Sequence, residues 1–220
     1  MARRRRWSTE EILDTAIELL RTSDAESFSV RQVAAALGTD SSSLYRHFRS
    51  KTDLLRAVTD RILSSAMDGY RPEGDWKRRI AAVAIRLWDA FGRHPQLAAI
   101  WGRYVSIGSG SRLVMEETLR ALQDSGLPDE EIPGHYHRLA TMLVALISAG
   151  AAADAITEEE YERGAETFRV AVLGADPERF PALAHFGRDL RPLIDDRRSA
   201  FDALLAAQLD QIESAIAARS

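Results

Sequence analysis

No cysteine occurs among the 220 residues, so there is no disulfide framework, no thiolate metal site and no thiol constraint on redox compartment. Long hydrophobic runs are missing too. The longest uncharged stretch, Leu139 to Ala153, is shorter than the about 20 residues a spanning helix needs, so no membrane partner is expected. Alternation of apolar and polar residues is nowhere sustained, which argues against strands and for helices alone. Met1-Ala-Arg-Arg-Arg-Arg-Trp7 imitates the basic start of an export signal. Ser8-Thr-Glu-Glu11 follows where the apolar segment belongs, and a cytoplasmic location is expected. Catalytic constellations are also lacking. Gly108-Ser-Gly110 has neither the Gly-Lys-Ser/Thr ending nor the preceding strand of a phosphate loop, and Ile107–Ser111 reads as a plain linker. His135 and His137, one residue apart on a helix, do not share a face, and neither they nor His94 and His185 form a Glu-x-x-His repeat; no metal or other cofactor is expected. With no Ser-His-Asp set, Glu158-Glu-Glu160 reads as charge favourable to a helix start, and an enzyme is not expected.

Hydrophobic residues make up 45%, enough for a core in one or two small domains. The net charge of −4 argues against indiscriminate nucleic-acid binding. It is unevenly spread: residues 1–60 hold ten Lys or Arg and nine Asp or Glu, so the negative balance lies beyond them. Arg3 to Arg6 suit a flexible arm lying on phosphates or in a minor groove.

The stretch from Phe28 to Leu55 organises the chain. Ser29 and Gln32 form a capping box for a first short helix with Val30, Val33, Ala34 and Leu37 on its apolar face. Gly38 stands where a helix stops in the left-handed conformation. Asp40 or Ser41 can cap a second helix with Leu44 and Phe48 inward. Its outward set, Ser41, Ser42, Ser43, Tyr45, Arg46 and His47, combines hydrogen-bonding groups with positive charge, and no acid occurs from Ser41 to Thr52. Such a face suits phosphates and base edges in a major groove; a solvated helical hairpin is the plainer alternative. Ser50 and Lys51 open the next helix, where free amides, helix dipole and ammonium can converge on a phosphate.

These residues resemble the helix-turn-helix of the tetracycline-repressor (TetR) family of bacterial transcription regulators. The match is carried by Val30-Arg-Gln-Val-Ala34, Leu37-Gly38, Ser43-Leu-Tyr-Arg-His-Phe48, Lys51 and Leu54-Leu55, and spans about residues 8 to 60. The resemblance implies DNA contacts from Arg31, Ser41, Ser42, Ser43, Tyr45, Arg46, His47 and Lys51. Arg46 is the candidate base reader, because a guanidinium grips guanine at two points; Tyr45, His47 and Lys51 suit backbone positioning.

Helical periodicity organises the rest. A helix from Ser8 to about Thr22 and one from Ser50 to near Pro72 flank the motif. Asp75 caps a helix stopped at Gly92-Arg-His-Pro95, and a shorter one from Pro95 carries Leu97, Ile100, Trp101 and Tyr104. Leu113 to Leu122 is helical; a long helix runs from about Pro133 to Ile156, with small residues from Ser148 to Ala153 that admit a close neighbour. Further helices are expected from Thr157 to Leu173, briefly at Pro181–Phe186, and from Leu190 to Ala217. The expected fold is all-α: arm and helix-turn-helix domain at 1–50, connecting helix at 51–72, helical ligand-binding and dimerisation domain at 73–220. Trp88, Phe91, Trp101, Tyr104, Met115 and Met142 are candidates to line an apolar pocket, though ordinary core explains them as well. The resemblance implies a homodimer through the helices near 134–156 and 190–217, reading a palindromic operator and released by a small-molecule effector. An architectural DNA binder without ligand is the alternative, and a helical enzyme with a nucleic-acid-binding head a more distant one.

Overall fold

The computed structural model describes residues 6–22, 27–103, 108–154, 156–190, 192 and 196–219; among them the regular structure is helical, with no strand. Short-range hydrogen bonds set the helix starts. α1 (Thr9–Thr22) opens on a complete capping box, with Ser8 N–H donating to Glu11 Oε2 at 2.9 Å and Glu11 N–H to Ser8 Oγ at 3.1 Å. α2 (Val30–Ala36) opens on Ser29, whose Oγ accepts from Gln32 N–H at 3.3 Å. α3 (Ser41–Leu44) follows, then α4 (Lys51–Met67), where Ser50 Oγ accepts from Asp53 N–H at 3.0 Å. Ile12, Ala16, Phe28, Val33, Leu44, Phe48, Leu54 and Val58 are buried together as the core of this head. Each such large apolar side chain contributes about 1.5–3 kcal/mol through burial.

The body begins with α5 (Trp76–Gly92), where Asp75 Oδ1 accepts from Arg78 N–H at 2.9 Å. α6 (Pro95–Ala98), a 3-10 turn at Trp101–Arg103, α7 (Ser109–Gln123) and α8 (Ile132–Asp154) follow. α9 (Glu158–Leu173) starts on a complete Thr157–Glu160 capping box; α10 (Pro181–Phe186) and α11 (Arg197–Ala217) end the chain. α4 packs on α1 in the head and on α5 and α7 in the body, so one helix belongs to both. α8 lies on α5 and α7, and α11 on α8. Phe201 of α11 meets Trp88 of α5 with ring centroids 4.5 Å apart, and Lys77 bridges Asp210 and Glu213 at 2.9 and 2.8 Å. The small residues late in α8 admit that indole: a Cβ on Gly150 would stand 3.3 Å from Trp88 Cη2.

Four expectations need correction. Ser109–Ser111 is no linker but the first turn of α7; Ile107 lies outside the described residues. The second helix of the motif is short, Ser41–Leu44, and continues as turns to His47, although Phe48 N–H still donates to the Leu44 carbonyl at 2.9 Å. The helix from Pro95 breaks after four residues, and the 3-10 turn carries Trp101 instead; Tyr104 lies outside the described residues. The last helix starts at Arg197 rather than Leu190, because Asp196 adopts φ 46° and caps it there by accepting from Ser199 N–H at 3.2 Å.

Candidate functional site

The turn between α2 and α3 is built as a Schellman motif. Gly38, at φ 63°, donates to the Ala35 carbonyl at 3.0 Å, and Thr39 to the Ala34 carbonyl at 2.9 Å. This conformation suits glycine, and it turns the chain so that Leu44 and Phe48 are buried in the core of the head. What remains outside is the expected contact set. Arg31, Ser42, Tyr45, Arg46 and His47 are exposed, while Ser41, Ser43 and Lys51 are half-buried. Tyr45 is 49% exposed, a large ring with no packing reason to be there. His47 is tethered: its Nδ1 lies 3.2 Å from Thr9 Oγ1 at the start of α1. Lys51 is the first residue of α4, beside the Ser50 cap. The face therefore presents hydroxyls, a phenol, an imidazole and cations without an acid, which is a surface able to bind phosphates and base edges.

α4 carries this head into the body. Midway along it, the Asp60 carboxylate accepts from Gly110 N–H at 3.1 Å and from Ser111 N–H and Oγ, each at 2.8 Å. A carboxylate thus caps the N-terminus of α7, where the helix dipole favours negative charge. At its far end, α4 is held by Arg86 of α5, which donates to the Ala66 and Asp68 carbonyls at 3.0 and 3.1 Å and lies 5.6 Å from the Tyr70 ring centre.

Between α4, α5, α7 and α8 lies a cavity of about 160 Å³. Leu63 of α4, Leu87 of α5, Val114 of α7 and Leu143 of α8 contribute apolar walls; Ser111, Thr118 and Tyr136 are the polar lining residues. Ser111, which is tied to Asp60, is therefore also part of the cavity wall. Burial pushes the Tyr136 phenol pKa up, so the group stays protonated at neutral pH.

Of the expected pocket residues, Trp101 and Met115 line this cavity. Trp88 and Phe91 instead face a separate crevice of about 50 Å³ with Ala98, Ile147 and Gly150. Met142 packs against the core without lining either space, and Tyr104 lies outside the described residues. Among the described residues no helix is long and apolar enough to cross a membrane, and no group of three or more His, Cys, Asp or Glu is placed to hold a metal ion.

Sequence reasoning missed Asp60, Ser111 and Arg86. Gly108-Ser-Gly-Ser111 was a usable signal for a helix start approached closely by another backbone, but nothing local pairs it with a carboxylate 51 residues earlier. Arg86 occupies an ordinary polar position in an amphipathic helix and carried no signal.

Comparison with known proteins agrees with this architecture. A family model described as bacterial regulatory proteins, tetR family, matches residues 12–58, and one described as tetracyclin repressor-like, C-terminal domain, matches residues 68–216. A structural-genomics crystal structure of a candidate transcriptional regulator from Streptomyces coelicolor A3(2) is 62% identical, with TM-score 0.83 over 96% of this chain and 99% of that one. The HTH-type transcriptional repressor DrrR1 of Streptomyces coeruleorubidus is 26% identical over 208 residues, 84% of this chain and 75% of its own length. The Streptomyces coelicolor TetR family protein ActR, in complex with actinorhodin, has TM-score 0.84 over 96% of this chain and 98% of that one; at 24% identity this is a likeness of fold.

Proposed function

Because the chain belongs to the tetR family of bacterial regulatory proteins, we propose that it is a ligand-responsive, DNA-binding transcription regulator, a repressor acting as a homodimer in the cytoplasm. Arg31, Ser41, Ser42, Ser43, Tyr45, Arg46, His47 and Lys51 form its DNA face, and the cavity between α4, α5, α7 and α8 is its effector site. The observation that carries this reading is the double membership of α4. That helix starts beside the recognition turn, lines the cavity through Leu63 and holds α7 through Asp60. A molecule entering the cavity presses on Leu63 and Ser111, and therefore on the helix that aims the head.

The dimer is supported by α8 and α11. Beside its buried stripe of Phe201, Leu205, Leu209 and Ile212, α11 leaves Ala200, Ala203, Leu204 and Ala207 exposed. α8 likewise leaves Thr141, Ala145 and Ala149 exposed on one face. Small residues in such stripes let helices pack closely across a two-fold axis. Two heads on that axis read half-sites about 34 Å apart, or a multiple. DNA accepts one head separation. An effector that prefers another lowers operator affinity by its differential affinity for the two states.

Selection of bound duplexes from a random DNA pool at physiological salt tests the reading. A recovered palindrome supports a sequence-specific dimer and supplies a probe for effector release. Retention without a shared motif would instead mean an architectural binder, and no retention would remove the DNA face.

A further inference from the structure

The walls of the cavity constrain the chemistry of its occupant. We propose that the cavity takes an uncharged, single-ring aromatic molecule bearing a hydroxyl group, held through Tyr136 and Thr118; this rests on reading the cavity as the effector site.

Charge is excluded first. Of the fourteen described lining residues, eleven are apolar, three are Ser111, Thr118 and Tyr136, and none is charged. A carboxylate or ammonium entering would lose its hydration and gain no counter-ion. Size comes next. The volume of about 160 Å³ is close to the about 150 Å³ at which engineered apolar cavities in proteins bind benzene, so one ring with a small substituent fits. The walls favour an aromatic ring. Trp101 is fixed by stacking on Phe91, centroids 4.2 Å apart and planes 17° apart, and Met115 adds a polarisable thioether.

The polar groups then choose the substituent. Thr118 Oγ1 donates its proton to the Val114 carbonyl at 2.8 Å, so towards a ligand it is an acceptor. Tyr136 makes no hydrogen bond to a described residue, and its burial keeps the phenol protonated and able to donate. A ligand hydroxyl satisfies both, donating to Thr118 and accepting from Tyr136. A hydrocarbon satisfies neither.

Calorimetric titration of the full chain, without DNA, with phenol, toluene and benzoate separates these factors. Phenol should bind saturably, toluene up to about a hundredfold more weakly, the change expected for two net hydrogen bonds, and benzoate not at all. Tyr136→Phe should weaken phenol about tenfold, keep it tighter than toluene through the remaining Thr118 bond, and leave toluene unchanged, which also shows that the variant cavity is intact. Benzoate binding as well as phenol, phenol binding unmoved by Tyr136→Phe, or no saturable binding of any of the three overturns the proposal. Phenol that binds as expected yet leaves operator affinity unchanged would sink effector release alone. Release by another compound, with phenol and toluene failing to bind, would sink the cavity chemistry alone.

Discussion

Gly110 of α7 lies directly on the backbone of Asp60 in α4: a Cβ on Gly110 would overlap the Asp60 carbonyl oxygen and the Ser64 nitrogen. Both obstacles are backbone atoms of a helix interior, which cannot rotate away. Gly110→Ala should therefore push α4 and α7 apart and cost about 1–3 kcal/mol, as overpacking does. For a chain of this size that lowers Tm by roughly 2–4 °C per kcal/mol, readable by thermal unfolding. An unchanged Tm would mean that the two helices are not held at this separation.

Arg46 and Lys51 should fail differently on DNA. Arg46→Ala is expected to cost about 1–3 kcal/mol at one base position and relax preference there. Lys51→Ala should weaken binding evenly across sequences and reduce the dependence on log salt concentration by about one. Binding isotherms on the selected operator and its single-base variants, at three salt concentrations, distinguish the two. Uniform weakening by Arg46→Ala would make that residue a phosphate contact.

Arg86 caps the last carbonyls of α4 from α5 and does not lie on the DNA face. Arg86→Met keeps much of the stem but removes both donors. Stability in urea should fall by about 1–2 kcal/mol, since a charged donor at a helix C-terminus is lost. If α4 aims the head, operator affinity should fall as well while base preference stays the same. A shift in preference would contradict this placement.

His135 is 5% exposed, with its buried Nδ1 unpartnered among the described residues. Burial, then Arg138, lowers its pKa below 6.5; Arg219 adds to this and Glu131 opposes it. His94 is lowered in the same way by burial and Arg93. Below pH 6.5 the unfolded chain takes up protons that the folded histidines refuse, so their contribution to stability should fall as pH drops from 6.5 towards the folded pKa and be flat above 6.5. Urea unfolding at pH 7.5 and 5.5 measures the loss, and His135→Gln should shrink it. An equal loss in the variant would assign the effect to His94 or to other groups.

What the sequence determined by itself is what acts over three or four residues. The Ser8–Glu11 and Thr157–Glu160 boxes, the Ser29, Ser50 and Asp75 caps and the left-handed Gly38 place helix starts and the motif's turn through bonds within one helical turn. The same locality made the exposed set around Tyr45 and Arg46 legible, because an apolar period of Leu44 and Phe48 leaves its complement outside. Tertiary structure decided the rest. Whether Ser109–Ser111 is loop or helix depends on Asp60, which caps it from another element. Which aromatics line a cavity depends on how α4, α5, α7 and α8 meet: Trp101 and Met115 face one space, Trp88 and Phe91 another, though all four follow similar helical spacing. Burial and hydrogen-bond partners across many residues are properties of packing, and periodicity along one helix carries no information about which neighbour fills its groove.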